Sequence, residues 1–121
     1  MEFSWTTIRV NDMEESLSFY QEIVKLPLQG RSSIEGGMEL AFLGSGETKV
    51  ELIWRKDEKR AQYGQDISMG FTVDNLDTMM EFVTGRNIPI LGGPFKPNDH
   101  ISFFYVLDPN GLRIQFVEQI Q

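Results

Sequence analysis

Few side chains in this sequence could carry out chemistry, and their types limit which chemistry is possible. The chain has 121 residues, no cysteine and a single histidine, His100. Thiolate chemistry, disulfides and a metal site with two imidazoles from one chain are therefore excluded. Among the carboxylates, Glu51 lies within the predicted strand 49–54, where it could act as a general base toward a bound substrate.

The charge of the chain limits which kinds of partner it can bind. The net charge is −7, and the isoelectric point is near 4.6. Because nucleic acids are bound mainly through Lys and Arg, no nucleic-acid partner is expected. The acidic surface indicates solubility first, and attraction of a cationic ligand is the alternative.

The expected cellular location depends on two features that the sequence lacks, a membrane-spanning segment and a signal peptide. No apolar run approaches the roughly 20 residues that span a bilayer, and the N-terminus lacks the basic and apolar regions of a signal peptide. We therefore expect a cytoplasmic protein without a membrane partner.

Apolar periodicity predicts the elements that position these residues. Alternating runs indicate strands, and apolar residues at three- and four-residue spacing indicate helices. Asn11 or Asp12 is expected to cap the first helix, and Asp74 or Asn75 the second. The predicted elements are a strand at 3–10, a helix near 12–24 ended by Pro27, strands at 28–34, 38–43 and 49–54, a strand at 67–73, a helix near 75–85 ended by Gly85, strands at 88–91, 101–107 and 113–118, and a turn at 92–94.

The most informative pattern is an internal repeat. Residues 10–13 match residues 73–76 at an offset of 63, and residues 50–53 match residues 114–117 at an offset of 64. Both halves therefore have the order strand-helix-strand-strand-strand. This predicts an α+β fold of two tandem βαβββ modules with curled mixed sheets forming a shared cleft. The modules are expected at 1–56 and 67–121, with a linker at 57–66.

Strand alternation predicts which side chains line that cleft. Ile8 and Val10, with their counterparts Phe71 and Val73, should pack under the helices. The residues of opposite parity then face the cleft, and Arg113 lies near Gln115. The predicted cleft residues are Trp5, Thr7, Arg9, Glu51, Ser68, Gly70, Thr72, Arg113 and Gln115.

Three segments carry a resemblance to a known family. They are IRVNDMEESLSFYQEIVKLPL at 8–28, FTVDNLDTMMEF at 71–82 and FFYVLDPNGLRIQFVE at 103–118, and the last is the most specific. The sequence resembles the vicinal oxygen chelate superfamily, which includes glyoxalase I, extradiol dioxygenases, fosfomycin-resistance proteins and bleomycin-binding proteins. The resemblance covers nearly the whole chain. It implies the glyoxalase/bleomycin resistance/dioxygenase fold, a small-molecule ligand and a homodimer.

The resemblance also implies where a metal would bind. Metal-dependent members use four ligands, and their positions fall on Trp5, Glu51, Ser68 and Gln115. Glu51 is a good ligand, Gln115 a weak one and Ser68 a poor one, whereas the indole of Trp5 offers only a donor N–H. Two oxygen ligands do not make a transition-metal site. We expect no cofactor, with a divalent metal as the alternative.

Three further residues have two interpretations each. Arg9 matches a position that contacts the glutathione carboxylate in glyoxalase I, and the alternative is an ion pair with Glu51. Trp5 either fills the former metal site or offers a stacking surface to a flat or cationic ligand. His100 is either solvated in its loop or contacts a ligand at the cleft mouth.

Three functions are compatible with these residues. The first is a metal-independent small-molecule-binding protein that uses the cleft around Trp5, Arg9 and Glu51. The second is a glyoxalase I-like lyase, in which Glu51 is a metal ligand. The third is a metal-free enzyme of the superfamily with Glu51 as general base.

Overall fold

The computed structural model describes residues 1–120, which contain two mixed four-stranded sheets. In each half of the chain the helical segment lies between the first and the second strand. The first compact unit ends at Gln62 and the second begins at Tyr63, within the predicted linker 57–66. The first unit contains β1 (Thr6–Arg9), α1 (Met13–Ser18), a π-helical segment (Phe19–Ile23), β2 (Leu28–Ile34), β3 (Met38–Leu43) and β4 (Val50–Arg55). The second unit contains β5 (Ser68–Thr72), α2 (Leu76–Gly85), β6 (Gly92–Asn98), β7 (Ile101–Leu107) and β8 (Arg113–Gln119).

The two sheets have the same topology. Their strand orders are β1-β4-β3-β2 and β5-β8-β7-β6. In each sheet the first strand pairs in parallel with the last, and the remaining pairs are antiparallel. The predicted α+β fold of two βαβββ modules is confirmed.

Both helices begin at side-chain caps, as predicted. Asp12 Oδ1 accepts a hydrogen bond of 2.8 Å from the backbone N–H of Glu15, and Asn75 Oδ1 accepts one of 2.9 Å from Thr78. These bonds satisfy N–H groups that lack partners in the first helical turn. Asn11, the other candidate cap, instead accepts a hydrogen bond from the N–H of Ala61.

The first helix differs from the continuous helix predicted up to residue 24. Its α-helical part ends at Ser18, and the chain continues as a π-helical segment over Phe19–Ile23. The N–H of Val24 bonds to the carbonyl of Phe19, and Lys25 then takes a positive φ of 68°. The helix thus ends before Pro27 rather than at it. Phe19, Tyr20 and Ile23 of this π-helical segment are all buried in the core.

The start of the second sheet corrects two predictions. Residues 88–91 do not form a strand, and β6 instead occupies Gly92–Asn98, where a turn was predicted. The reason is long-range pairing, because β6 lies beside β7 with Gly92 opposite Tyr105. Two prolines, Pro94 and Pro97, are tolerated there because β6 is an edge strand with irregular register.

The second helix ends at Gly85, as predicted, but not through the backbone conformation usual for a terminating glycine. Gly85 is the last helical residue, but it does not take the left-handed conformation that ends many helices. Asn87 does so instead, with φ of 61°. The N–H of Ile88 then bonds to the carbonyl of Val83 and closes the helix.

One face of each sheet forms the core of its unit. Ile8 and Val10 are buried, as predicted, and so are alternate residues of β4 such as Leu52. In the second unit Phe104, Ile114 and Phe116 are buried, and Phe71, which lies opposite Phe116, is half-buried, as is Val73. We call the other face of each sheet, which carries the residues of opposite parity, its open face.

A buried turn fixes the last hairpin. Asp108 is 4% exposed, and its Oδ1 accepts hydrogen bonds from the backbone N–H groups of Asn110 at 2.8 Å and Leu112 at 2.9 Å. Gly111 takes a φ of 92°, which a side chain would disfavour. The turn places Leu107 opposite Arg113 and so sets which residues of β8 lie on the open face.

No helix within residues 1–120 is long and apolar enough to cross a membrane.

Candidate functional site

Strand register brings the repeated positions together in each unit. Thr7 lies opposite Glu51 in the first sheet, and Gly70 lies opposite Gln115 in the second. These pairs are related by the same offsets that relate the two halves of the sequence. The equivalence of Glu51 with Gln115 therefore holds in the structure as well as in the sequence.

The first open face is centred on Glu51. This residue is half-buried, and its Oε1 accepts a hydrogen bond of 2.6 Å from the Thr7 hydroxyl. On its other side, Glu51 lies opposite Phe42 of β3. Glu51 thus lies between Thr7, which donates a hydrogen bond to its carboxylate, and Phe42 on the neighbouring strand.

Trp5 lies just before β1 and packs edge-on against Phe42, with ring centroids 5.4 Å apart and planes at 83°. Its side chain is 48% exposed. Trp5 is therefore not part of the buried core of its own unit, and its interpretation as a filler of the former metal site stays a prediction. The exposed part of the indole is available as a contact surface.

Two depressions flank this indole. One of about 370 Å³ is lined by Trp5, Gln29, Phe42, Gly44, Ser45 and Lys49. Another of about 510 Å³ is lined by the N-terminal residues 2–5 and by residues 46–49 of the β3–β4 connection. Trp5 and Lys49 border both, so they form the ridge between two concave surfaces.

Arg9 is turned toward the chain that follows β4. Its Nη1 donates a hydrogen bond of 2.6 Å to the carbonyl of Lys59. Nearby, Ala61 is buried and donates its N–H to Asn11. The beginning of the predicted linker is therefore attached to the first unit. Arg9 lies opposite Ile53 in the sheet, one alternation away from Glu51.

The second open face is centred on Gln115. Its Nε2 donates a hydrogen bond of 3.1 Å to the hydroxyl of Tyr105. Gly70 makes room for this side chain, because a Cβ at that position would lie 3.1 Å from Gln115 Oε1. Arg113 places its guanidinium carbon 5.2 Å from the centroid of the Tyr105 ring and donates to the carbonyl of Gln65 at 3.3 Å.

Three aromatic rings continue this face. Phe103 lies 5.7 Å from Tyr105 and 5.6 Å from Phe95, measured between ring centroids. Phe95 is 47% exposed. Sequence reasoning missed these residues and Phe42 as site residues. The repeat offset of 63 relates Phe42 to Tyr105, and alternation on β7 would have placed both on open faces.

The remaining predicted residues are less tightly grouped. Ser68 and Thr72 are exposed on β5, on either side of Gly70, and Ser68 lies opposite Arg113. His100 is exposed in the turn between β6 and β7, where its backbone N–H bonds to Asn98 Oδ1 at 2.7 Å. That turn is at the far end of β7 from Tyr105.

The residues at the family's metal-ligand positions do not fit a transition metal. Trp5 has only a donor N–H, Glu51 accepts from a threonine hydroxyl, and Gln115 is bonded to a tyrosine. Within residues 1–120, no group of three or more His, Cys, Asp or Glu is arranged to hold a metal ion.

The fold and the sequence both define the class of protein. The family model of the glyoxalase/bleomycin resistance protein/dioxygenase superfamily matches residues 2–116, and the chain belongs to that superfamily. The chain is similar to the lactoylglutathione lyase of Neisseria meningitidis serogroup A, with 33% identity over 94% of the chain and 88% of the relative. It is also 34% identical to the lactoylglutathione lyase of Haemophilus influenzae, over 98% of the chain and 93% of the relative.

A solved structure shows the same fold. The glyoxalase family protein from Bacillus cereus superposes with a TM-score of 0.83 at 20% identity, covering 100% of this chain and 95% of the other.

Proposed function

We propose that this chain is a metal-independent small-molecule-binding protein of the superfamily, and that its ligand contacts the first open face around Trp5, Arg9 and Glu51. The observation that supports this most directly is Trp5. At the position where metal-dependent relatives would supply a ligand, the chain has a half-exposed indole packed on Phe42. An indole cannot coordinate a metal, but it stacks well on flat or cationic groups.

The surroundings of Trp5 suit a small organic molecule. The depression of about 370 Å³ beside it has the size of a small ligand site and combines aromatic rings with a few polar groups. Glu51 and Thr7 supply a hydrogen-bonded acceptor nearby. Such a site would orient a ligand that carries a flat ring and a donor group.

The other predicted site residues belong to the same proposal. We propose Ser68, Thr72, Arg113, Gln115 and His100 as further ligand-binding residues. We further propose that the protein is a homodimer and that it acts in the cytoplasm. Light scattering at tens of micromolar, as an order of magnitude for a stable interface, tests the dimer, and a monomer there would contradict it.

The metal-independence is tested by thermal unfolding. We expect the melting temperature of the wild type to be the same with a chelator and with an excess of Ni²⁺ or Zn²⁺. A metal ion that binds only the native state adds about 2.7 kcal/mol at 100 times its dissociation constant, so binding would be obvious. Metal analysis of the purified protein provides the second readout.

A matched variant shows that the assay can detect a site. Trp5→His combined with Ser68→His restores imidazoles at two of the four positions that the family resemblance implies. This variant should be stabilised by added Ni²⁺ or Zn²⁺, whereas Trp5→Phe should not. If the wild type itself is stabilised by stoichiometric metal, the proposal is wrong.

The second candidate function is a lyase, with Glu51 as metal ligand or general base. It is favoured by the similarity, at 33% and 34% identity, to two proteins named lactoylglutathione lyase. The test is an assay of lactoylglutathione lyase activity with and without added Ni²⁺ or Zn²⁺. Activity in the wild type that is lost in Glu51→Gln would support this function over the binding protein.

A further inference from the structure

The second open face has an unusual charge for this chain. The protein has 18 acidic and 11 basic residues. Yet the strand positions of this face, defined by the register of β5, β8 and β7, contain no acidic residue and one arginine, Arg113. These positions are Ser68, Gly70, Thr72, Ile101, Phe103, Tyr105, Leu107, Arg113, Gln115, Val117 and Gln119. A cationic ligand would find no counter-charge on this face.

The hydrogen bonds of the same face leave donors toward a ligand. The Tyr105 hydroxyl accepts from Gln115 Nε2, so its own proton is free to be donated. The guanidinium of Arg113 has five N–H groups, and its bond to the Gln65 carbonyl, at 3.3 Å, uses one. Both donors lie at one end of the aromatic cluster.

The aromatic cluster provides a surface for a flat ring. Phe95, Phe103 and Tyr105 lie 5.6 to 6.4 Å apart between centroids, and Phe95 is half-exposed. Arg113 covers one side of the Tyr105 ring. A ring that packs against Phe95 and Phe103 would extend toward Arg113.

We propose that the second open face binds the carboxylate of a planar aromatic acid. The ring packs against Phe95 and Phe103, and the carboxylate accepts hydrogen bonds from Arg113 and from the Tyr105 hydroxyl. The planar fork of a guanidinium matches the two oxygens of a carboxylate, which makes Arg113 the principal anchor. This inference rests on the proposed function and names the class of ligand.

The test is calorimetric titration of the wild type with three probes. They are 2-naphthoate, cyclohexanecarboxylate, which lacks the aromatic ring, and 2-naphthylmethylamine, which reverses the charge. We expect 2-naphthoate to bind at least tenfold more tightly than either of the others. Tighter binding of the amine, or no binding of 2-naphthoate, would overturn the inference.

Variants assign the contacts. Arg113→Gln should weaken 2-naphthoate binding tenfold or more, and Tyr105→Phe, which loses one hydrogen bond, about fivefold. Arg86→Gln is the matched control, because Arg86 also stacks at 5.2 Å on a phenyl ring, that of Phe82 on α2, outside this face. Its affinity should stay within twofold of the wild type. Equal losses in Arg86→Gln and Arg113→Gln would refute the placement.

Two checks separate the possible failures. Circular dichroism of each variant shows whether it is folded, and Arg113→Lys, which keeps the charge but loses the fork, should retain part of the affinity. Failure of the carboxylate preference leaves the metal experiment untouched. Stabilisation of the wild type by metal would instead contradict the proposed function itself.

Discussion

Asp108 should be among the most sensitive polar positions of the second unit. Its Oδ1 accepts from the backbone N–H groups of Asn110 and Leu112, and all three residues are at most 5% exposed. Asp108→Ala leaves both N–H groups buried without that acceptor. Each unsatisfied group costs roughly 1–3 kcal/mol, so we expect a loss of about 4 kcal/mol in the free energy of unfolding.

Asp108→Asn is the matched control for this prediction. It keeps a side-chain oxygen for both N–H groups and loses the charge and the bond from Asn110 Nδ2 to Asp108 Oδ2. Hydrogen bonds to a charged acceptor are stronger than neutral ones, so a loss of about 1 kcal/mol is expected. The two variants thus separate the geometry of the turn from its charge.

Urea unfolding followed by far-ultraviolet circular dichroism measures these losses. Tryptophan fluorescence is the internal comparison, because Trp5 and Trp54 both lie in the first unit. Hydrogen exchange should also show faster exchange of the Asn110 and Leu112 amides in Asp108→Ala. A free energy of unfolding of Asp108→Ala within about 0.5 kcal/mol of the wild-type value, the range of neutral surface changes, would contradict this role of the Asp108 carboxylate.

Two other predictions concern the backbone. Gly93 has a φ of 108°, and a Cβ there would lie 3.0 Å from the Phe103 carbonyl and from Phe104, so Gly93→Ala should cost well over about 2 kcal/mol in the free energy of unfolding. Gly111 also has a positive φ but has open space around it, so Gly111→Ala should cost only about 1 kcal/mol. Similar urea midpoints for the two variants would contradict the steric clash at Gly93. Asp12→Ala and Asn75→Ala should each cost about 1 kcal/mol, since both cap a helix in the same backbone conformation; a cost confined to one of them would show that the caps are not equivalent.

Local signals in the sequence were enough for much of the fold. The caps at Asp12 and Asn75 and the strands Leu28–Ile34, Met38–Leu43 and Ile101–Leu107 are where the sequence predicts them. Each depends on neighbours in the chain, either a side chain bonding to the next turn or an apolar run between turn residues. The internal repeat added the order of elements in each module.

The secondary-structure predictions are wrong where contacts with residues distant in the sequence determine the element. β6 forms over Gly92–Asn98 because β7 offers a paired edge, although glycine and proline there favour a turn. The π-helical segment at Phe19–Ile23 was also not predicted, and its side chains Phe19, Tyr20 and Ile23 pack in the core.

The site was predictable only in part, for the same reason. Alternation and the repeat identify Glu51 and Gln115 as equivalent residues of the open faces. They do not show that Thr7 holds one and Tyr105 the other, because those bonds join different strands. The aromatic ring contacts of Phe95 with Phe103 likewise exist only once β6 is paired.

The equivalence of Glu51 and Gln115 has a consequence for how this protein can change over evolution. A molecule made of two copies carries each strand position twice, so one copy can be altered while its twin keeps the older chemistry. Glutamate and glutamine have nearly the same size and shape, so exchanging one for the other changes the charge of a copy with little change in its packing. With Thr7 and Gly70 beside them, the two copies already differ in both charge and crowding. The charge and shape of one open face can therefore change while the other stays the same, without rebuilding the fold.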